Sequence, residues 1–270
     1  MFVTHRPAPP LAFSVEMFWY GEGYHVAHRT ERALPSGRCQ LIIDLSDGFV
    51  RDSAPAAQRY QPAMAPLVVG MQSRFALLET AALQHIMSVV FWPGGTRGLF
   101  DVPADAFYNG VVPLEQVWGC EATGLRDRLR DTRSPAAKFL VLEAALRRRR
   151  RERLQLHAAV RYALGRFQSV PHIRSVLDVS KDTGLSRRRF AQLFREQVGI
   201  TPKLYCRLHR FQRVLNHIAS GAPVDWADVA LAGGYCDQAH LANEFRDFSG
   251  ITPGAYLATG HPFVNHVPMD

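Results

Sequence analysis

The sequence has few cysteines, no long apolar run and no compact metal-binding motif. Its four cysteines, Cys39, Cys120, Cys206 and Cys236, are scattered and form no CxxC pair. That spacing argues for reduced thiols, not a disulfide frame or a zinc site. No apolar stretch reaches the roughly 18 residues that an α-helical membrane span needs. The N-terminal MFVTHRPAPPLAF lacks a basic segment followed by an apolar core, so no secretory signal is read and a cytoplasmic location is expected. No GK[ST] follows Pro93-Gly94-Gly95-Thr96-Arg97-Gly98, so this segment is no phosphate loop; it reads as a turn into a short helix. His25, His28 and Glu31 lack a close HxH pair, and an HxxH on a strand points its rings to opposite faces. His85 stands alone, and Asp44 reads as a structural carboxylate in a strand. No catalytic group, metal or cofactor is expected.

What is present is a globular composition. The chain has 270 residues, 47% hydrophobic and 21% charged, enough for one large or two small domains. Residues 1–145 hold 13 Lys/Arg against 14 Asp/Glu, whereas residues 146–270 hold 19 against 10. One half is neutral and the other strongly basic, which suggests a polyanion partner for the second half, most simply nucleic acid.

The first half reads as strands. Arg38–Leu45, Pro66–Gly70, Phe75–Glu79 and Ile86–Trp92 are short apolar runs bounded by turn signals. A β-sandwich or barrel follows. From Ser134-Pro135, a helix-start signal, the pattern turns helical, and five arginines run from Arg147 to Arg151. The expected organisation is a β-rich domain over 1–145, an Arg-rich linker over 146–153, a helical domain over 154–257 and a tail over 258–270.

The helical half contains a repeat. Gly199-Ile200-Thr201-Pro202 recurs as Gly250-Ile251-Thr252-Pro253, and Phe194-Arg195 recurs as Phe245-Arg246, both offset by 51. Gly184-Leu185 recurs as Gly234-Tyr235, offset by 50. A duplicated unit of helix, Gly-containing turn and second helix is the logic of a helix-turn-helix. In the first copy, Ser186 caps the second helix and Phe190, Leu193, Phe194 and Val198 form its apolar face. Arg188, Ala191, Gln192 and Arg195 lie opposite, with Arg187 and Arg189 flanking. Arg and Gln on such a face suit guanine and adenine edges in the major groove. In the second copy Asp237 is the cap, Leu241, Phe245 and Phe248 face inward, and Ala239, Ala242, Asn243 and Arg246 face outward, with His240 at the edge. Residues 187–213 carry eight basic residues and one acid; residues 225–256 carry one arginine and five acids. Charge counting therefore gives the first unit most of the phosphate attraction. Leu204 to Ser220 reads as one connecting helix, long enough to set two readers at neighbouring turns of the groove.

These residues resemble the DNA-binding domain of the AraC/XylS transcription regulators. Gly234-Tyr235-Cys236-Asp237-Gln238-Ala239-His240-Leu241, Phe245-Arg246, Gly250-Ile251-Thr252-Pro253 and Tyr256 are close to that family's signature. The resemblance implies base-facing roles for Arg188, Ala191 and Gln192, and for Ala239, His240 and Asn243. Leu34-Pro35-Ser36-Gly37, Val69–Arg74, Phe91–Gly95 and Val112–Gly119 resemble an uncharacterised domain found ahead of such units. Related N-terminal domains are cupin-like barrels that bind an effector or dimerise, a role carried here by analogy. The expected fold class is α+β with two domains: a β-rich, cupin-like barrel or sandwich, then an all-α domain with two helix-turn-helix units joined by a long helix. The expected function is sequence-specific regulation on double-stranded DNA, with a small-molecule effector and a homodimer formed through the first domain, and no membrane partner. The rival readings are a cupin-type enzyme, a repair methyltransferase fused to a DNA reader, and an architectural DNA-binding protein.

Overall fold

The structure is a computed structural model, and it describes residues 1–46, 59–60, 65–151, 155–169, 175–260 and 263–269. The N-terminal part contains β1 (Phe2–His5), β2 (Val15–Glu22), β3 (Thr30–Ala33), β4 (Cys39–Asp44), β5 (Arg59–Tyr60), β6 (Leu67–Val69), β7 (Ala76–Glu79), β8 (His85–Phe91) and β9 (Val111–Pro113). Helices α1 (Glu115–Trp118), α2 (Leu125–Asp131) and α3 (Pro135–Arg149) follow. The helical part comprises α4 (Ala158–Ser169), α5 (Val176–Asp182), α6 (Arg187–Val198), α7 (Pro202–Ala219), α8 (Trp226–Gly233), α9 (Gln238–Ser249) and α10 (Pro253–Thr259). A last strand, β10 (His266–Pro268), closes the chain.

Two sheets form. One has the order β1-β2-β8-β4-β6-β9 and the other β10-β3-β7-β5. The central β8 is an apolar run, and its flanking partners pair antiparallel, Phe18 with Val89 and Leu41 with Val89. The buried face of the large sheet (Phe18, Leu41, Ile43, Met87, Val89, Phe91) packs with Leu125, Leu129, Phe139 and Leu142 of α2 and α3. Ser134 caps α3 through Ala137 N–H at 3.2 Å.

The expected short helix after Pro93-Gly94-Gly95 does not form. The segment is a run of turns with an isolated bridge between Arg97 and Phe100. The arginine run is divided. Arg147 to Arg149 end α3, and arginines of the run meet carboxylates of this chain: Arg147 with Glu143 at 3.0 Å, Arg149 with Asp101 at 2.9 Å, and Arg151 with Asp101 at 3.0 Å. Residues 152–154, at the end of the expected linker, lie outside the described residues.

The second core belongs to the helical domain but is not made by it alone. Phe167, Phe190, Phe194, Phe211, Phe245 and Phe248 are joined there by Leu34 and Met71 of the N-terminal part. The tail returns to that part as well: β10 pairs antiparallel with β3, and Leu34 N–H donates to Asn265 O at 2.8 Å. No helix among the described residues is long and apolar enough to cross a membrane.

Candidate nucleic-acid interface

Both repeats fold as helix, turn and helix. In the first, Ser175 caps α5, Gly184 takes φ +70° in the turn, and Ser186 caps α6 through Arg189 N–H at 3.3 Å. In the second, Asp225 caps α8, Gly234 takes φ +83°, and Asp237 caps α9 through His240 N–H at 2.7 Å. A left-handed turn residue with a capping Ser or Asp lets the chain reverse and restart a helix within a few residues. The connecting α7 spans 18 residues from its cap Thr201, slightly earlier than its sequence pattern places it.

The helix faces follow the apolar period. Phe190, Leu193, Phe194 and Val198 are buried on α6, as are Leu241, Phe245 and Phe248 on α9. Opposite them, Arg187, Arg188, Gln192 and Arg195 are exposed and Ala191 is half-buried. On α9, Ala239, Asn243 and Arg246 are exposed. His240 is half-buried: its ring meets Tyr235 edge-on at 5.2 Å, and its Nδ1 accepts from Cys236 N–H at 3.4 Å. Only the other ring nitrogen remains free of that contact.

Tertiary contacts alter the charge argument. Arg207 Nε donates to Glu244 at 2.7 Å and Arg210 Nη2 to the same carboxylate at 3.1 Å, while Arg207 Nη2 reaches Asp247 at 3.1 Å. Glu244 is only 5% exposed. Arg207 and Arg210 thus pair with two of the second unit's acids, Glu244 inside the protein and Asp247 at its surface. The two readers differ less in free charge than the count suggests. Sequence reasoning missed Glu244, because nothing local marks it as the partner of a helix about 37 residues away. Arg195 is also engaged: its Nε donates to Asp105 at 2.9 Å, from the 3-10 turn Ala104–Phe107 of the N-terminal domain.

The histidines set aside in the sequence are placed as follows. His28 and His266 both bind the buried Glu31, at 2.6 and 2.7 Å, whereas His25 is exposed. His85 Nε2 lies 2.8 Å from the Tyr20 hydroxyl, and burial depresses the pKa of His85. Asp44 accepts from Ser46 N–H at 2.8 Å. Among the described residues no group of three or more His, Cys, Asp or Glu could hold a metal. Burial pushes the thiols of Cys39 and Cys206 up to about 12. Between the N-terminal domain, α7 and α9 lies an open cleft of about 640 Å³, lined by Arg74, Phe75, Tyr108, Lys203, Leu204 and Phe248 among others.

Comparison with known proteins agrees with the two-part architecture. A family model described as a helix-turn-helix domain matches residues 179–259, and one described as a domain of unknown function (DUF6597) matches residues 3–113. A search of the curated proteins gives no match. Among solved structures the chain is similar to ToxT from Vibrio cholerae, at 10% identity and a TM-score of 0.43, covering 95% of this chain and 98% of that one. A ToxT structure bound to (E)-4-(8-methylnaphthalen-1-yl)but-3-enoic acid matches at 11% identity and a TM-score of 0.43, covering 95% and 98%. Residues 179–259 are therefore a helix-turn-helix domain, and residues 3–113 a domain of the DUF6597 type, joined in one chain.

Proposed function

We propose that this chain is a cytoplasmic, non-enzymatic transcription regulator that reads double-stranded DNA with α6 and α9 and is governed by an effector acting through its N-terminal domain. The observation that carries the DNA-reading function is the pair of capped, turn-linked helices with exposed polar faces. On α6 those faces present Arg187, Arg188, Gln192 and Arg195; on α9 they present Ala239, His240, Asn243 and Arg246. Arg and Gln side chains on such a helix match base edges bidentately, and flanking arginines match phosphates. Residues 154–257 serve as the reader and 1–145 as the sensor. The N-terminal domain touches both readers, which gives an effector a physical route to the DNA-binding surface. Association of two copies belongs to the same reading: Ala136, Leu140 and Ala144 line one exposed side of α3. Against the methyltransferase rival, a buried thiol with a raised pKa is a poor nucleophile, and Cys39 and Cys206 are both of that kind, whereas Cys120 and Cys236 are free and exposed.

Selection of bound duplexes from a random pool with the full-length protein tests the reading. A recovered consensus supports it. Recovery of unrelated sequences with salt-sensitive affinity alone would instead indicate an architectural binder. Sedimentation of wild type and Leu140→Glu tests the dimer.

A further inference from the structure

The two readers end in equivalent residues of the repeat, Gly199 after α6 and Gly250 after α9. Each has positive φ, +103° and +73°, and each donates its N–H back into the helix at 2.8 Å, to Arg195 O and Arg246 O. Each is also pressed by one loop of the N-terminal domain. A Cβ at Gly199 would lie 3.1 Å from Ala104 O, and a Cβ at Gly250 would lie 2.5 Å from Phe75 Cε1. Polar contacts reinforce both points. Asp105 binds Arg195 at 2.9 Å, and Phe75 N–H donates to Phe248 O at 3.0 Å.

The two pressing loops are fastened to each other through Asn109 and, beside it, through Gly110 O, which accepts from Gly70 N–H at 3.0 Å and from Gln72 Nε2 at 3.4 Å. Asn109 Oδ1 accepts from Ser73 N–H at 2.7 Å, its Nδ2 donates to Ser73 Oγ at 2.9 Å, and its own N–H donates to Met71 O at 3.1 Å. Asn109 takes φ +53°, a conformation that a short polar side chain tolerates. Tyr108 N–H donates to Asp105 O at 3.2 Å and Gly110 N–H to Phe107 O at 2.8 Å, tying the 3-10 turn to the same fastening. Met71, on the other loop, is buried in the core of the helical domain. The loops cannot shift separately without breaking these bonds.

We propose that Asn109 is a positioning residue that makes the loops Met71–Phe75 and Ala104–Asn109 one rigid brace, and that this brace sets the separation of the two reading helices. The N-terminal domain would then tune operator spacing, since any movement of the brace displaces both helix ends together. The proposal rests on the DNA-reading function above, yet it has a readout that needs no DNA. Asn109→Gly deletes the side-chain bonds while Gly keeps the positive φ without strain. In a full-length Cys120→Ser, Lys181→Cys background, nitroxide labels on residue 181 of α5 and on native Cys236 report the distance between the units; Cys39 and Cys206 are buried. A single narrow distance is expected, broadening or shifting when Asn109→Gly is added. In the second arm, unlabelled proteins bind a duplex selected by the wild type, then the same duplex with one base pair inserted between its two contacted segments. The insertion should weaken wild-type binding about tenfold and Asn109→Gly binding less than threefold. An unchanged distance distribution overturns the brace, and an unchanged insertion penalty overturns its control of operator spacing. Should Asn109→Gly fail to fold, Ser73→Ala, which removes one of the two side-chain bonds, is read against the same criteria. Failure to select any duplex counts against the DNA-reading function, while the label distances still decide on the brace.

Discussion

Glu31 of β3 and His266 of β10 meet at 2.7 Å across 235 residues of sequence, and Glu31 is fully buried. The pair fixes the end of the chain to the N-terminal sheet. Burial alone would raise the Glu31 pKa, but hydrogen bonds from His266, Tyr24 and His28 more than offset it and bring it from 4.5 down to about 2. A carboxylate held below its unfolded value stabilises the fold fully above about pH 4.5 and loses that contribution as the pH falls toward 2. The shift corresponds to about 3 kcal/mol. Denaturant unfolding of wild type and Glu31→Gln from pH 7 to 3 should show a larger acid loss in the wild type. Parallel curves for the two proteins would refute this.

Arg188→Ala and Gln192→Ala should each weaken binding to the selected site by about 1–3 kcal/mol and relax preference at one base pair. Their exposed position on α6, opposite buried Phe190 and Phe194, motivates this. Titration against the selected duplex and its single-base variants is the measurement. Mutants that bind every duplex as wild type does would remove α6 from the readout.

Salt dependence should divide the readers. Arg188→Ala combined with Arg195→Ala should flatten the slope of log affinity against log salt by about one to two, and Arg246→Ala by at most about one. Asp105→Asn frees Arg195 from its ion pair and should steepen the slope by up to about one. A larger effect from Arg246→Ala than from the double change would show that the second reader is the anchor.

Glu244→Ala should cost about 2–4 kcal/mol, because it removes the buried carboxylate that the Arg207 and Arg210 guanidiniums, packed on Phe248 and Tyr235, share, and leaves Arg207 with the exposed Asp247. Glu244→Gln, which keeps hydrogen-bond acceptance, should cost less. Chemical denaturation of the three proteins measures it. Wild-type stability in Glu244→Ala would mean that α7 and α9 are held by apolar packing alone.

The helical readers were legible from the residues because their determinants are local. Ser186 and Asp237 cap helices that start beside them, Gly184 and Gly234 mark turns at their own positions, and Phe190 and Phe194 share a face by helical period alone. The β8 run and its Pro93-Gly94 stop are local in the same way. What only the tertiary structure decided is which distant groups meet. Charge counting placed Arg207, Arg210 and Arg195 on the DNA side of the ledger, yet the fold hands them to Glu244, Asp247 and Asp105. The tail strand β10, the burial of Met71 among the helices and the fastening of two loops by Asn109 have the same origin. A capping serine acts on the next turn of its own helix, so its neighbours in sequence reveal it. An ion pair or strand pairing across two hundred residues depends on how separate elements pack, and no local period encodes that.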